Sequence, residues 1–502
     1  MSTTGWIPTP PGCGHPEEIA AFVHSGFPIH GLTADSRKVK PGMTFVAYPG
    51  DAEDGRNYIG QALQRGAVSV LCEEDGFSWN PEWRVPYQTF KGLRGRVSEL
   101  AAAQLNYPSR QMITLGVTGT NGKTTCTHWL AAMLAALGSP CALLGTLGNG
   151  CWPHLQPAEN TTADAIELQQ WLEQFRAAGM KACAMEVSSH GLHQNRVTGV
   201  DFTGAIFTNL SRDHMDYHGT FDAYGRAKAM LFDARGLQFA VINLDDPFGL
   251  ELAQNCRGKV PRVVGYSLQG KQLPGCECLA LEDVRLEGAG LCAMLTGALG
   301  RQQISTALVG DFNLSNLLAV MATLCLGLGY GVQAVAERVV DLRPPKGRLE
   351  RLPHAGGPVV VIDYAHTPDA LEKALRALKP LAQGGQLICV FGCGGNRDAG
   401  KRPLMGEVAS RWANHVVLTS DNPRGEDPEL ILDQVAAGIT GPMVRFSDRA
   451  AAIDQAILHA HAGDVVLIAG KGHEDYQEVM GEKRPFSDHA VAMESLRRWR
   501  AA

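Results

Sequence analysis

The chain has 502 residues, enough for about three domains of ordinary size. Hydrophobic residues make up 45% and charged residues 19%, which excludes a disordered or fibrous protein. Lys and Arg number 45 against 51 Asp and Glu; the net charge of −6 speaks against a nucleic-acid or membrane-surface binder, while leaving room for local basic pockets that hold phosphate.

The opening MSTTGWIPTPPG has no basic flank and no apolar run, so it is not expected to be a signal peptide. The 13 cysteines are scattered, the nearest pair being Cys276 and Cys278, with no C-x-x-C; reduced thiols in a cytoplasmic protein are expected. No apolar run is long enough for a membrane span. The first hundred or so residues, with GLTADSRKVKPGMTFVAYPG in their middle, read as a small α/β unit ending near Asn106–Gln111. Met112–Gly119 then predicts a buried strand and Thr124–Gly138 a helix closed by glycine. Lys181–Val187, Gly204–Leu210 and Phe239–Asp245 repeat the strand pattern, the rhythm of a parallel sheet covered by helices. Asp341–Glu350, with Pro344, Pro345 and Gly347, predicts a hinge. Beyond it, Val359–Ala365, Gln386–Gly392, His415–Asp421 and Asp464–Gly472 are strands that end in polar or glycine-rich turns. The expected fold is α/β in three domains: a smaller N-terminal domain over 1–110, a central parallel-sheet domain over 111–342 and a Rossmann-like domain over 343–502. Ligands of such sheets bind at the carboxyl ends of the strands.

The strongest single motif is GVTGTNGKTT, residues Gly116–Thr125, between a strand and a helix. Glycines let the backbone approach oxygen atoms, and successive N–H groups with a helix N-terminus cradle an anion. Lys123 can reach outer phosphates and the Thr124 hydroxyl can hold Mg²⁺. The spacing departs from the standard Walker A form, which has a glycine where this chain has Val117. A nucleoside triphosphate is the expected ligand; the alternative is a glycine turn beside an incidental lysine.

Other residues are ambiguous alone. Glu186 ends a strand in AMEVSSHGL, and Asp213, His214, Asp216 and His218 follow another in TNLSRDHMDYHG. A carboxylate and an imidazole so placed can share Mg²⁺, but a surface charge and a turn-capping histidine fit equally well. Lys228 in YGRAKAMLF reads from its spacing as a solvated helix lysine. The NTT of ENTTAD can be a helix N-cap.

GTNGKTT, together with NTTAD, MEVSSHGL, TNLSRDHMDYHG, GDFNLSN, DYAHTPDAL, FGCGGNRDAGKRPLMG, SDNPR and AGKGHEDYQ, resembles the Mur ligase family of bacterial cell-wall enzymes, from about Asp35 to about Glu474. Within it the motifs resemble those of the branch that adds the third residue to UDP-N-acetylmuramoyl-L-Ala-D-Glu. The resemblance implies an ATP- and Mg²⁺-dependent amide ligase working through an acyl phosphate, cytoplasmic and monomeric, acting in peptidoglycan synthesis. It places ATP on Gly119, Thr120, Asn121, Gly122, Lys123, Thr124 and Thr125, with Asn313, Asn316, Arg348, Asp363 and His366 toward base and ribose. It makes Thr124, Glu186, His214 and Lys228 metal ligands, Lys228 as a carbamate, and counts Lys123, Lys228 and His214 as catalytic. An ammonium would repel the cation, whereas a carbamate supplies an anionic oxygen.

For the UDP-sugar peptide the resemblance implies Ser36, the turn at Asp51–Glu53, Asn160, Thr161, Thr162, Ser188, Gln194 and Arg196, donors suited to phosphate and carboxylate oxygens. The acidic Asp51-Ala52-Glu53 departs from the neutral or basic pattern usual there. The added amino acid is meso-diaminopimelate or L-lysine, which differ by one carboxylate. The SDNPR form is the diaminopimelate type: Arg424 can take the extra carboxylate bidentately, alongside Asp421, Asn422 and Pro423, with Arg397, Gly470 and Glu474 completing the pocket. Arg397 would face a carboxylate and Glu474 the ammonium of the same stereocentre. Arg424 could instead be only a turn salt bridge. Three other readings stand against the diaminopimelate-adding one: a lysine-adding enzyme, a folylpolyglutamate-type relative, and an inactive scaffold that has lost catalysis.

Overall fold

The computed structural model describes residues 16–51, 53–287, 290–354, 356–382 and 384–500. The opening MSTTGWIPTPPG and Cys13 lie outside the described residues. The twelve described cysteines are free thiols, and among the described residues no helix is long and apolar enough to cross a membrane. Two compact units are distinguished: one takes in the chain as far as Thr118 with Leu134–Ala205 and Ala227–Ala240, the other Gly119–Met133, Ile206–Arg226 and Val241 onward.

In the first unit, strands Leu32–Thr33, Thr44–Ala47, Ser69–Glu73 and Tyr87–Phe90 lie side by side in chain order, all parallel. Successive side chains of a strand point to opposite faces. Val46 and Leu71 therefore pack with Leu93, Val97 and Leu100 of helix Leu93–Gln104. Their neighbours Phe45, Ala47, Val70 and Cys72 pack with Ile59 and Ala62 on the other side. The unit also holds strand Ile113–Thr118 parallel to Ala182–Glu186, which is parallel to Cys141–Gly145. The last of these pairs antiparallel with Gly148–Cys151.

In the second unit a six-stranded sheet runs in the order Glu350–Arg351, Val359–Asp363, Val465–Ala469, Leu387–Phe391, His415–Thr419, Met443–Phe446. All neighbours are parallel except the first pair. Between Val359–Asp363 and Met443–Phe446 the chain steps across this sheet in one direction, then doubles back to insert Val465–Ala469. Right-handed crossovers put the connecting helices of the outward steps on one face and that of the return on the other. Helices Pro368–Leu378, Lys401–Trp412 and Pro428–Ala436 accordingly bury Leu371, Met405 and Leu432 against Val361, Cys389 and Leu467. Arg449–Leu458 and Asp488–Arg498 bury Ile453 and Leu496 against the intervening Ile362, Val390 and Ile468. The loops after Asp363, Phe391, Thr419 and Ala469 thus open at one end of the sheet, and the reversal lies on either side of Val465–Ala469.

The expected parallel rhythm misses several antiparallel pieces. Strand Glu277–Glu287 pairs with Gly290–Gly297, and that with Gln302–Thr306, both antiparallel. Glu277–Glu287 is broken by the charges Glu282, Asp283 and Arg285, and Gln302–Thr306 is mostly polar, so neither shows the apolar run that marks a buried parallel strand. The register shifts between Glu282 and Arg285, with Asp283 at φ 51°. A second hairpin, Tyr476–Val479 with Glu482–Pro485, was equally silent in the sequence.

Candidate active site

The strand Ile113–Thr118 runs into the loop Gly119–Gly122, and helix Lys123–Ala136 begins directly after it. Both glycines are required by space. A Cβ at Gly119 (φ 143°) would lie 1.9 Å from Thr208 Oγ1, and one at Gly122 (φ 89°) 2.4 Å from Asn316 Oδ1. The loop is held by the segment Thr208–Ser211. Thr208 Oγ1 and Asn209 Nδ2 donate to the Asn121 carbonyl at 2.6 and 3.0 Å, and Asn121 N donates to Asn209 Oδ1 at 3.0 Å. Thr120 Oγ1 donates to the Ser211 carbonyl at 3.2 Å. The TNLSRD motif, read from the sequence for its metal ligands, thus also shapes the phosphate loop. Lys123 Nζ donates to the carbonyls of Gly119 and Thr120 at 2.7 and 2.9 Å, folding back over the loop.

A cavity of about 900 Å³ extends from Asn121, Gly122, Thr124 and Thr125 to Asn316, Arg348, Asp363 and His366, within the range of small-molecule sites. Arg348 spans it: Nη2 donates to Thr124 Oγ1 at 3.1 Å, the guanidinium lies 4.6 Å from the Tyr364 ring centre, and Nε is buried with no hydrogen-bond acceptor. A buried cationic donor facing a glycine-lined anion cradle fits a nucleotide phosphate. Asn313, by contrast, is buried and spends its amide on the Val309 carbonyl at 2.9 Å, off the cavity wall.

Asp363 accepts from the backbone N–H groups of Leu349 and Ala365 at 2.7 and 2.8 Å. Burial pushes its carboxyl above the usual carboxylate range, against the pull of Arg348 and those two N–H groups. Burial, then the Lys401 ammonium, lowers His366 below the ordinary imidazole value, so the ring is neutral. Its Nδ1 lies 2.8 Å from the Tyr364 carbonyl. With that nitrogen carrying the proton, Nε2 is the acceptor.

At the carboxyl end of the same sheet, Arg424 sits at φ 51°. Its N–H donates to the Glu478 carbonyl at 2.9 Å, so the unforeseen hairpin is what holds it. Nη1 donates to the Gly395 carbonyl at 2.9 Å and Nε lies 3.4 Å from Glu478 Oε2. The turn ion pair therefore exists. Arg397 is exposed. A Cβ built on Gly394 would meet Arg424 Nη1 at 2.8 Å and Arg397 Cγ at 4.0 Å, so both arginines flank that glycine. Asp421, Asn422 and Pro423 are buried, and Gly470 turns the chain at φ 115° beside Asp421. Glu474 Oε2 accepts from Asn422 Nδ2 at 2.8 Å and Lys471 Nζ at 3.0 Å. Lys471 was missed by the motif reading, although it stands between Gly470 and Glu474.

In the first unit, Ser36 Oγ donates to Gln61 Oε1 at 2.6 Å. Thr162 Oγ1 donates to the Glu186 carbonyl at 3.0 Å and accepts from Ser188 N at 3.0 Å. Arg196 Nη1 donates to the Thr162 carbonyl at 2.6 Å and Nε to Gln194 Oε1 at 2.9 Å. Gln194 Nε2 donates to Asp51 Oδ2 at 2.9 Å, and Asp51 pairs with Arg94 at 2.5 Å. The acidic turn is thus compensated by its own arginine; Ala52 lies outside the described residues. Thr161 Oγ1 is 3.0 Å from Thr146 Oγ1, and Asn160 is exposed. NTT is not the cap of the following helix: Asp164 is, accepting from Ile166 and Glu167 N–H groups.

Among the proposed metal ligands, Glu186 is buried, not a surface charge; it accepts from Thr146 N at 2.8 Å and Thr146 Oγ1 at 3.2 Å. His214 occupies the N-cap position of Met215–His218 at φ 54°, but its side chain makes no capping bond. Lys228 is only 1% exposed, which overturns its reading as a solvated lysine. Among the described residues no three His, Cys, Asp or Glu side chains form a metal cluster. The Glu186 carboxylate is a hard oxygen donor of the kind Mg²⁺ takes.

Three family models match in succession: the Mur ligase family catalytic domain over residues 28–104, the Mur ligase middle domain over 117–324, and the Mur ligase glutamate ligase domain over 347–472. The UDP-N-acetylmuramoyl-L-alanyl-D-glutamate–2,6-diaminopimelate ligase of Chromobacterium violaceum is 49% identical over 478 residues, covering 94% of this chain and 95% of the relative. The chain belongs to the Mur ligase family. The enzyme of the same name from Neisseria meningitidis serogroup A is 47% identical over 467 residues, 93% of this chain and 94% of its own. A solved structure of a ligase so named is 37% identical, with a TM-score of 0.66 over 94% of this chain and 95% of that one. The Mur ligase fold extends to the Thermotoga maritima MurF ligase in complex with ADP, at a TM-score of 0.64 and 17% identity over 94% and 97% of the two chains.

Proposed function

We propose that this Mur ligase adds meso-2,6-diaminopimelate to UDP-N-acetylmuramoyl-L-Ala-D-Glu at the expense of ATP, in peptidoglycan precursor synthesis. The observation that carries the reading is the cavity from Gly122 and Thr124 to Arg348 and Asp363, in the same compact unit as the two arginines, Arg397 and Arg424, that flank Gly394. It is supported by relatives of that name at 49% and 47% identity along nearly the whole chain. The chain works as a cytoplasmic monomer in three parts, 1–110 for the UDP-sugar, 111–342 for ATP and 343–502 for the amino acid.

A carboxylate is a poor electrophile in water. A carboxylate oxygen of the dipeptide's D-Glu attacks the γ-phosphorus of ATP, ADP leaves, and an acyl phosphate forms. The neutral amine of diaminopimelate then attacks the acyl carbon; the tetrahedral adduct expels phosphate and loses a proton, leaving an amide. Phosphoryl transfer needs positioning and neutralisation of charge more than covalent chemistry. Lys123 moves from its carbonyl partners to the outer phosphates, the N–H groups of Gly119–Thr125 hold the remaining oxygens, and Arg348 supplies a fixed cation. Thr124, Glu186, His214 and the Lys228 carbamate would hold Mg²⁺, which supplies further neutralisation of the phosphoryl oxygens. Ser36, Asn160, Thr161, Thr162, Ser188, Gln194 and Arg196 orient the UDP-sugar peptide. Arg424 binds the far carboxylate of diaminopimelate, and Arg397 and Glu474 face a carboxylate and the ammonium of the same stereocentre.

The test is the mass of the product formed from ATP, the UDP-muramoyl dipeptide and meso-diaminopimelate. A UDP-muramoyl tripeptide is expected; unchanged dipeptide refutes the reading.

A further inference from the structure

We infer that Lys471 is the positioning residue that presents Glu474 to the amino-acid substrate, an inference that rests on the pocket proposed above. Lys471 follows strand Val465–Ala469 and Gly470, and its side chain is fully buried. A buried ammonium must be paired to persist. Nζ donates to Asn422 Oδ1 at 2.9 Å and Glu474 Oε2 at 3.0 Å, lies 3.6 Å from Asp421 Oδ1, and sits 5.6 Å from the Tyr476 ring centre. One cation thus joins the loop after His415–Thr419 to the loop after Val465–Ala469, at the point where the strand order reverses.

The bonds are directional. Glu474 Oε2 takes both the Lys471 ammonium and the Asn422 amide, so the carboxylate is locked through one oxygen and Oε1 takes part in neither bond. Asn422 Oδ1 is occupied in turn by Lys471 and the Glu478 N–H at 3.0 Å. Asn422 thus has its oxygen spent twice and one amide N–H committed to Glu474. Asp421 Oδ1 is buried with no hydrogen bond. The adjacent Arg449 is already neutralised by Asp488 at 2.7 Å. Asp421, Glu474 and Lys471 together carry one net negative charge, which matches one substrate ammonium. Without the lysine, two carboxylates would face each other and Glu474 would lose its orientation.

The experiment measures steady-state kinetics of the full-length enzyme with each substrate varied in turn, for wild type, Lys471→Met, Glu474→Gln and the double variant. Lys471→Met is expected to raise KM for diaminopimelate at least tenfold while KM for ATP and for the UDP-muramoyl dipeptide stays within threefold. In the Glu474→Gln background the same change is expected to add less than threefold, because the residue it orients is already disabled. An unchanged KM for diaminopimelate, effects that multiply independently, or a loss shared equally by all three substrates would each overturn the proposal. Should Lys471→Met not fold, Lys471→Gln and Asn422→Leu are held to the same criteria. A wild-type enzyme that ignores diaminopimelate sinks the pocket itself; one that uses it while Lys471→Met keeps its KM sinks only the positioning role.

Discussion

Arg348 reaches across 224 residues of sequence to donate from Nη2 to the Thr124 hydroxyl at 3.1 Å. The same guanidinium lies over Tyr364, next to Asp363, so one rigid cation spans the phosphate loop and the first strand end of the C-terminal sheet. A metal bound at Thr124 would compete for the hydroxyl lone pair that Arg348 now uses. Arg348→Ala is expected to weaken ATP binding about tenfold to a hundredfold, with little change in KM for diaminopimelate. Arg348→Lys should not restore it, since an ammonium has neither the fork nor the planar stacking surface. Calorimetric titration with a non-hydrolysable ATP analogue checks both.

Gly122→Ala tests the loop itself. The added Cβ would sit 2.4 Å from Asn316 Oδ1 on a backbone at φ 89°. Either the loop or helix Asp311–Met321 must shift, at a cost of about 1–3 kcal/mol from strain alone. The expected result is a lower melting temperature and a loss of ATP turnover of at least a hundredfold. A variant with wild-type turnover would mean that this loop does not cradle phosphate.

Acid stability should depend on the buried His128 and the half-buried His473. Burial, set against the hydrogen bond from His128 to the Thr124 carbonyl, holds His128 down to about 4. Burial, then Arg348 and Lys346, holds His473 at about 4. The unfolded chain takes up these protons near pH 6.5, the folded one only near pH 4. Between those values the unfolded state binds more protons, so stability falls as pH falls. The limit is about 3 kcal/mol per group once pH is below both values. Asp363, whose folded value is raised, offsets part of this. Melting curves from pH 7 to pH 4.5 should be steeper for wild type than for His128→Gln or His473→Gln.

The Arg449–Asp488 pair is fully buried, at 2.7 Å, and Arg449 also donates to the Ser420 and Ala469 carbonyls at 3.2 and 2.9 Å. Removing one partner leaves an uncompensated buried charge, which costs about 3–5 kcal/mol. Asp488→Ala should lower stability by that order in urea unfolding. Asp488→Asn, which keeps one acceptor, should lower it less.

How much of this was legible in the sequence varies by element. The strand, glycine loop and helix around Gly119–Thr124 were, because two glycines between an apolar run and a helical run are a local signal. The parallel strands of the C-terminal sheet were, because their apolar runs are buried on both faces. The hairpin Tyr476–Pro485 was not: its residues are half or fully exposed, and its value lies in the long-range bond that the Arg424 N–H donates to the Glu478 carbonyl. Lys228 was misjudged by spacing, since helical periodicity says nothing about a face covered by another segment. Lys471 was passed over because a lysine in a glycine turn carries no local sign of burial.

The central claim is met most directly by phosphate release from ATP, measured with the UDP-muramoyl dipeptide present and either meso-diaminopimelate or L-lysine added, for wild type and Arg424→Ala. The account predicts release that requires the dipeptide, is at least a hundredfold more efficient with diaminopimelate than with lysine, and loses that preference in the variant. Equal use of both amines by the wild type, or a preference that survives the loss of Arg424, would contradict it.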